Sequence, residues 1–280
     1  MLASHAAMTG RTPHVDAPVG DHIVWGGHAT VRIVLGGQAL LTGPVLRRRV
    51  VHLQRVVPLV DGLGAELRAV LISHLHHDHL DLASLRMLPD DATLVIPVGG
   101  RAALGRRTRQ LVTELAPGES TTIGALEILA TPAKHDGGRS GRRGVASPAL
   151  GYVVGHRATA VYFAGDTDIF PGMADIAPRL DLALVPIWGW GPTLGPGHLD
   201  PERAAEALTL LRPRIAVPIH WGTYRPAVGR GAPHSRTGAP ELRFLRAAAD
   251  RAPDVAVRIL APGQALALAD AAASGPVPLP

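Results

Sequence analysis

The sequence predicts an α/β protein in which two β-sheets pack face to face, with helices on the outside. Short β-rich segments fall into two groups along the chain, and helical segments lie between and after them. The chain has 280 residues, 46% of them hydrophobic, so it is long and apolar enough for a sizeable core. No linker-like segment interrupts residues 21–270, which are therefore expected to form a single domain.

The first group of strands surrounds a histidine-rich segment. Its predicted strands are HIVWGG, ATVRIVLGG and QALLTGP (22–44, separated by Gly-Gly turns), AVLISH (69–74) and TLVIPV (93–98). Leu82, Leu85 and Leu88 recur every three residues after Asp81, a suitable N-cap, so a helix is predicted there. Another short helix is predicted at about 101–107.

The second group of strands alternates with the longer helices. Its predicted strands are STTIGALEILATPAKH (120–135, two strands), ALGYVVGHRATAVYFAGDT (149–167, a hairpin turning near Gly155-His156), LDLALVPI (180–187), RIAVPIH (214–220), VAVRIL and QALALA. The helix PERAAEALTLL (201–211) begins after Asp200, a suitable N-cap, with Pro201 in its first turn. A last helix is predicted at about 240–250.

The two ends of the chain are expected to be flexible. Residues 1–20 lack the basic start and apolar core of a signal peptide, and they are predicted to be a loose leader. Residues 271–280 are small and proline-rich, as in a frayed tail. No stretch reaches the roughly 18 apolar residues that cross a bilayer, so we expect no membrane span and a cytoplasmic location.

The net charge of +5 does not by itself indicate a nucleic-acid partner. Lys134 is the only lysine, so nearly all positive charge is arginine, in a chain that is also rich in glycine and proline. This composition indicates a bias in residue usage rather than a basic patch. Nucleic acid is therefore an unlikely partner, and the expected partner is a small-molecule substrate, which could be anionic.

The candidate functional residues are histidines and aspartates at the ends of apolar strands. The chain has no cysteine, so a metal would be held by nitrogen and oxygen ligands. In SHLHHDHLD (73–81), His74 and His76 are two apart and point to the same side of an extended segment. His135, Asp166 and His220 each end a predicted strand, where distant parts of a chain converge on one pocket.

These residues resemble the motifs of the metallo-β-lactamase superfamily over residues 22–222. The resemblance lies in H-x-H-x-D-H at His74, His76, Asp78 and His79, followed by His135, by Asp166 within GDT, and by His220. It implies a four-layer αββα sandwich with a two-metal site at the edge between the sheets. It also implies the ligand roles: His74, His76 and His135 for the first ion, Asp78, His79 and His220 for the second, and Asp166 for both. His77 has no ligand role in this pattern.

Within the superfamily, the chain is most similar to the group that contains N-acyl-phosphatidylethanolamine-hydrolysing phospholipase D and ascorbate-6-phosphate lactonase. The segments that carry this similarity are WGGHATVRI (25–33), LISHLHHDHLD, YFAGDTDIF (162–170), HLDPERA (198–204) and IHWGTY (219–224). The group often has Thr-Asp-Pro where this chain has Thr42-Gly43-Pro44, which removes an acid near the site.

The ligand set predicts hydrolysis by a metal-bridging hydroxide. Two divalent ions about 3.5–4 Å apart lower the pKa of a shared water and steady the attacking and leaving oxygens. Imidazole and carboxylate ligands favour Zn²⁺, with Mn²⁺ or Fe²⁺ as alternatives. The candidate catalytic residues are Asp78 and His198. His198 would protonate the leaving group or hold the substrate. The alternative is that His198 only packs before the helix that begins after Asp200. His28 is a candidate for a residue that supports the metal ligands. The alternative is that it only packs in its turn.

Two loops are candidates for substrate specificity. Arg139, Arg142 and Arg143 follow His135 on a glycine-rich background, where guanidinium groups are suited to clamp a phosphate. Trp188 and Trp190 would form an apolar wall. Solvated loops and ordinary packing are the alternative interpretations of both.

The predicted substrate is a phosphodiester or a lactone-like ester, and two other functions remain open. An RNA-processing nuclease of the same superfamily fits the positive charge, but the chain lacks a long glycine- and proline-rich arm and has few aromatics for base stacking. A non-catalytic metal-binding regulatory protein is the other alternative, although a complete ligand set argues against it. A homo-oligomer is possible on this sequence.

Overall fold

The computed structural model describes residues 18–106, 108–139, 144–227 and 239–269, and within them the strands fall into three sheets. The strands are β1 (His22–Gly27), β2 (Thr30–Leu35), β3 (Gln38–Thr42), β4 (Arg49–Val50), β5 (Leu53–Arg55), β6 (Leu67–Leu71), β7 (Thr93–Pro97), β8 (Val112–Leu115), β9 (Ser120–Ile123), β10 (Leu126–Pro132), β11 (Leu150–His156), β12 (Thr159–Phe163), β13 (Leu182–Pro186), β14 (Ile215–Ile219), β15 (Tyr224–Pro226), β16 (Ala256–Val257) and β17 (Ala265–Ala267). The helices are α1 (Leu82–Leu85), α2 (Pro201–Leu211) and α3 (Pro240–Arg251), with 3₁₀ turns at Gly100–Ala103 and Met173–Asp175.

The two large sheets have seven strands each and are mixed. The first has the order β17-β1-β2-β3-β6-β7-β8, antiparallel up to β3 and parallel from there. The second has the order β16-β14-β13-β12-β11-β10-β9, antiparallel from β9 to β12 and parallel beyond. Every residue of β13 and β14 is buried, as expected of parallel strands that are covered on both faces.

The sheets pack face to face over a shared apolar core. Ile33 and Leu71 of the first sheet lie in one buried cluster with Ile128, Phe163 and Leu184 of the second, each with 0% of its surface exposed. Alternating side chains of each strand therefore meet between the sheets, which confirms the predicted sandwich.

Helices cover the outer faces unequally. Leu208 of α2 and Phe244 of α3 are buried with Val185 and Ala216 against the second sheet. On the first sheet, α1 is a single turn, and its Leu85 shares the cover with loop residues such as Val60. The four predicted layers are present, but the outer layer on the first sheet is mostly irregular chain.

Several predicted elements differ in detail. The helix after Asp81 ends at Leu85 rather than Leu88, close to Pro89, whose ring disfavours helical backbone in the residue before it. The β11–β12 hairpin turns at Arg157, which has a φ of 54°, two residues after Gly155. Strand β8 and the small sheet β15-β5-β4 were not predicted from the sequence.

Some predictions lie outside the described residues. These are most of the leader (1–17), the tail (271–280) and two arginines of the specificity loop, Arg142 and Arg143. Among the residues that the structure describes, no helix has the length and apolarity that a membrane span requires.

Candidate metal centre

The histidine-rich segment begins where β6 leaves the first sheet. After Leu71 the chain runs through Ser73 and His74 into a turn in which the backbone N–H groups of His79 and Leu80 both donate to the carbonyl oxygen of His76, at 3.0 and 2.8 Å. This turn replaces a straight extension of the strand. It allows side chains four residues apart to face one pocket.

The remaining predicted site residues come from the second sheet. His135 follows β10, Asp166 follows β12 and His220 follows β14. Strands β10, β12 and β14 alternate with β11 and β13 in this sheet and run in the same direction, so their C-terminal ends deliver these side chains to the same edge. The structure brings all seven predicted ligands together.

Six of the seven side chains fall into two groups of close nitrogen and oxygen atoms, and the seventh, Asp166, clusters with His74 and His79 and also with His135 and His198. In one group, a ring nitrogen of His74, one of His76 and one of His135 lie within 4.8 Å of one another. In the other, donor atoms of Asp78, His79, His220 and, in addition, His28 lie within the same distance. This division matches the two ligand sets that the sequence resemblance implied.

Asp166 lies between the two groups. Its Oδ2 is 3.9 Å from Nε2 of His74 and 3.2 Å from Nε2 of His79. Its Oδ1 is 3.3 Å from Nε2 of His220. One carboxylate therefore contacts members of both groups, which is the position of a bridging ligand.

Hydrogen bonds to carbonyl oxygens determine which nitrogens face the centre. Nδ1 of His135 lies 3.0 Å from the carbonyl oxygen of Gly197, and Nδ1 of His220 lies 2.8 Å from that of Trp188. Because a carbonyl oxygen only accepts, each Nδ1 carries the proton and donates it. Nε2 of both imidazoles then presents a lone pair to the centre, the arrangement found around metal-bound histidines.

The spacing of the nitrogens fits a shared cation. Nδ1 of His76 lies 3.1 Å from Nε2 of His74 and 3.2 Å from Nε2 of His135, and Nε2 of His79 lies 3.0 Å from Nε2 of His220. Tetrahedral zinc with Zn–N bonds of about 2.0–2.1 Å separates its nitrogen ligands by about 3.3–3.4 Å. The distances found are close to that value.

The surroundings of Asp166 Oδ1 also fit a bound cation. Its Oδ1 is buried and has no hydrogen-bond donor among the described residues. A buried carboxylate oxygen without a donor is costly unless a cation or water satisfies it. The donor set, the lone-pair directions and this oxygen together fit a divalent metal ion.

The pKa values of the site favour ligand forms. Burial lowers the pKa of His220 to about 3 and holds that of His74 well below its usual value, so both are neutral imidazoles near pH 7. Burial alone would raise the pKa of Asp166, but His220 and His79 outweigh it and hold that pKa well below its usual value. Burial would lower the pKa of His79, but the Asp166 carboxylate outweighs it and raises that pKa.

His198 lies at the open side of this centre. Its Nε2 is 3.6 Å from Oδ2 of Asp166, its ring is 4.6 Å from that of His135, and 23% of its side chain is exposed. Its Nδ1 lies 3.1 Å from the carbonyl oxygen of Gly195, which anchors the ring. The predicted placement beside the pocket therefore agrees with the structure.

The loop residues proposed for substrate specificity, Arg139, Trp188 and Trp190, each contact other groups of the protein. Nη1 of Arg139 donates to the carbonyl oxygens of Leu75 and Leu80, at 2.9 Å each, so this guanidinium supports the ligand-bearing turn. It is not free to clamp a phosphate as predicted. The Trp188 ring lies under the Arg243 guanidinium at 5.9 Å, and the Trp190 ring lies edge-on to His52.

Several supporting residues carried no sequence signal. Ser73 Oγ lies 3.0 Å from Nδ1 of His74 and 3.3 Å from Nδ1 of His79. Asp81 caps α1 as predicted, but it also accepts two hydrogen bonds from the Arg47 guanidinium at 2.7 Å. Contacts of this kind depend on residues that only the fold brings together.

An isolated β-bridge joins two of the ligand-bearing loops. The backbone N–H of Asp168 donates to the carbonyl oxygen of Lys134 at 3.1 Å, and the N–H of Lys134 donates to Oγ1 of Thr167 at 2.9 Å. Lys134 and Thr167 directly adjoin His135 and Asp166. The bridge therefore fixes the distance between these two site residues.

Comparison with protein families gives one match over most of the chain. The model of the β-lactamase superfamily domain matches residues 39–221, a range that contains all seven predicted ligands.

Curated relatives agree with this match. An uncharacterized protein of Mycobacterium tuberculosis is 34% identical over 261 residues, covering 86% of this chain and 67% of that protein. A UPF0173 metal-dependent hydrolase of Methanopyrus kandleri is 32% identical, covering 86% of this chain and 97% of its own. N-acyl-phosphatidylethanolamine-hydrolyzing phospholipase D 1 of Caenorhabditis elegans is 29% identical, covering 71% of this chain and 63% of the worm protein.

Solved structures share the fold. Igni18, a metallo hydrolase from Ignicoccus hospitalis, matches with a TM-score of 0.65 at 23% identity, over 88% of this chain and 97% of Igni18. An isothiocyanate hydrolase from Delia radicum gut bacteria matches with a TM-score of 0.64 at 21% identity, over 88% of this chain and 98% of the hydrolase. At these identities the likeness concerns the fold.

Proposed function

Since this chain belongs to the β-lactamase superfamily, we propose that it is a metal-dependent hydrolase with two divalent ions, acting on a phosphodiester or a lactone-like ester of a small molecule. The observation that carries the proposal is the position of Asp166 between two groups of converging donors. A single-ion site would need only one of these groups.

The ligand assignment follows the two groups. The first ion would be held by His74, His76 and His135, the second by Asp78, His79 and His220, and Asp166 would contact both. Two such ions lower the pKa of a water molecule held between them and polarise the substrate oxygen. The all-nitrogen-and-oxygen donor set favours Zn²⁺, with Mn²⁺ or Fe²⁺ as alternatives.

The protein contributes to the reaction by orienting the metal ligands before the substrate binds. The carbonyl oxygens of Gly197 and Trp188 hold His135 and His220 in the tautomer that presents Nε2 to the centre. The sites are therefore formed before a substrate arrives, and little reorganisation is needed during the reaction.

His198 is our candidate for contact with the leaving group. It lies at the open side of the centre, and its Nδ1 is anchored to the Gly195 carbonyl oxygen, so Nε2 faces the pocket. We assign it to binding a substrate oxygen or to donating a proton to the departing one. Asp78, the other residue of interest, acts through the second ion rather than on the substrate.

The substrate class rests on the chemistry of the site and on one named relative. The worm relative is a phospholipase D that hydrolyses N-acyl-phosphatidylethanolamine, which is a phosphodiester. A lactone-like ester remains within the proposal because a polarised carbonyl reacts at the same centre.

A substrate panel tests this proposal. Protein purified without chelator would be assayed with bis(p-nitrophenyl) phosphate, simple lactones and β-lactams, each with added Zn²⁺ or Mn²⁺, while elemental analysis counts the ions per chain. We expect about two ions per chain and turnover of the phosphodiester or the lactones. A fully metallated sample that hydrolyses none of them would favour the non-catalytic metal-binding alternative.

A further inference from the structure

His28 lies behind the second group of donors, in the turn between β1 and β2. Only 1% of its surface is exposed, and its Nε2 lies 3.0 Å from Oδ2 of Asp78. Its φ of 54° places the backbone in the left-handed region, which is unfavourable for a residue with a side chain. A conformation of this kind persists only where surrounding contacts enforce it.

The contacts that enforce it come from the segment after β14. The backbone N–H of His28 donates to Oγ1 of Thr223 at 2.7 Å, and the N–H of His220 donates to the carbonyl oxygen of His28 at 3.0 Å. The indole N–H of Trp25 donates to the same oxygen at 3.0 Å. The His28 backbone is therefore fixed relative to His220, a proposed ligand.

The imidazole of His28 is held as firmly as its backbone. Its ring centroid lies 3.9 Å from that of His220 and 5.2 Å from that of Tyr224, which meets it edge-on. These rings leave Nε2 directed at Asp78. Because the Asp78 carboxylate only accepts hydrogen bonds when ionised, Nε2 of His28 carries a proton and donates it.

We propose that His28 is a positioning residue for the second metal ion: its Nε2–H holds the Asp78 carboxylate in the orientation that binds the ion together with His79 and His220. Hydrogen bonds of this kind orient ligand carboxylates and tune the affinity of a site. The inference rests on the proposed function, specifically on the division of the ligands into two sets.

The proposal predicts an effect on the second metal site only. His28 belongs to the donor group of Asp78, His79 and His220 and not to that of the first ion. Loss of the hydrogen bond should therefore lower the metal affinity of the second site and leave that of the first site unchanged. A purely structural role for His28 would instead affect the stability of the fold or both sites in parallel.

Two substitutions isolate the hydrogen bond. His28→Gln keeps an N–H donor at a position similar to Nε2, whereas His28→Leu removes it, and both keep a side chain at the same strained φ. His22→Leu is the matched control, since His22 is also a buried histidine of the β1 region but lies outside the site. Zn²⁺ per chain would be counted after equilibrium dialysis, and Co²⁺ titration followed by visible absorption would give the affinity of each step.

We expect two ions in the wild type and in the His22→Leu and His28→Gln variants. In His28→Leu, we expect the second ion to bind about 10- to 100-fold more weakly and the first to bind as in the wild type. Thermal unfolding of the metal-free variants separates this effect from a loss of folding.

The outcomes are distinguishable. His28→Leu overturns the inference if it binds the second ion as tightly as the wild type, or if both ions weaken in parallel. A Gln variant that behaves like the Leu variant also overturns it, since a restored donor would then have no effect. A wild type that binds fewer than two ions overturns the proposed function, and the inference with it.

Discussion

Nη2 of Arg139 lies 2.9 Å from Nδ1 of His77. His77 belongs to the segment 73–81, which also carries four of the proposed ligands. The same guanidinium donates to the carbonyl oxygens of Leu75 and Leu80, which both belong to that segment. One side chain thus supports the loop after His135 and the turn after β6 together. His77, which carries no ligand role, contributes to this support.

Replacement of Arg139 by Ala should therefore act on stability and metal binding more than on substrate affinity. The hydrogen bonds from a half-buried charged group contribute about 1.5–3 kcal/mol, so we expect the free energy of unfolding to fall by about 2 kcal/mol. Chemical denaturation measures the fall, and KM for the substrate should change little. Arg109→Ala, which removes an exposed ion pair with Asp90, is the control and should cost less than about 1 kcal/mol. A rise in KM at unchanged stability would restore the phosphate-clamp interpretation.

Asp166→Ala should reduce the metal content of both sites, because its carboxylate contacts members of both groups. His76→Ala should reduce mainly the first, and both variants should lose activity. Elemental analysis after dialysis measures the ions per chain. His77→Ala is the matched control, since His77 neighbours His76 in sequence but lies in neither donor group among the described residues. Equal losses in all three variants would contradict the ligand assignment.

His198→Gln should lower kcat while leaving the metal content unchanged. The side chain faces the open side of the centre and contacts Asp166 without belonging to either of the two ligand sets that we propose. General acid catalysis typically contributes about 10²- to 10⁴-fold, and a fall in kcat of that order is expected. If His198 only packs in front of α2, kcat will be unchanged and unfolding will occur at a lower temperature.

Gly43→Ala should destabilise the protein more than Gly37→Ala. Both glycines have positive φ values, of 36° and 73°, at which a side chain costs about 1–2 kcal/mol. A Cβ at position 43 would also lie 3.0 Å from Cβ of Ala29, whereas one at position 37 meets nothing within 4 Å. Overpacking typically adds about 1–3 kcal/mol, so denaturant titration should separate the two variants by at least 1 kcal/mol. Equal losses would show that Ala29 moves aside.

Asp181→Asn should destabilise the protein at pH 7 but not in acid. Burial alone would raise the pKa of Asp181, but hydrogen bonds from the Ala160 backbone N–H and from Arg214 and Arg179 outweigh it and hold the pKa below its usual value. The stabilisation is therefore present above the unfolded-state pKa of roughly 3.9 and lost as pH falls through the folded-state pKa. Denaturation of both proteins across pH 3–7 measures the difference, and Asp175→Asn, at an exposed carboxylate, should show little at any pH. A difference that persists in acid would assign the effect to packing.

The fold and the site differ in how far residue patterns predict them. The strand runs around Ile33, Leu71 and Leu184 were predictable because alternating or continuous apolar residues occupy a sheet that is buried on one or both faces. The convergence of His135, Asp166 and His220 was predictable because each ends such a run. Their ligand roles remain predictions, supported by the distances between them.

Other features depend on parts of the chain that carry no pattern of their own. The carbonyl oxygens of Gly197 and Trp188 orient two histidines, but every residue has a carbonyl group, so no residue type signals this role. The hydrogen bond from His28 to Asp78 joins positions 50 residues apart, and the sequence alone did not decide between support and turn packing. Arg139 was expected at the substrate because arginine suits phosphate, but nearby carbonyl oxygens satisfy it first.

The delivery of donors from both large sheets has a consequence for how the protein responds to its surroundings. The chain has no cysteine, so no disulfide joins the two halves of the sandwich. A first ion held by His74 and His135 and a second held by His79 and His220 would each join the two sheets instead, and only in the folded state. Each tenfold rise in free ion above its Kd would then add about 1.4 kcal/mol to stability for each site. Resistance to heat would thus follow the supply of free metal, and a chelator would act on this protein as a reducing agent acts on a disulfide-bonded one.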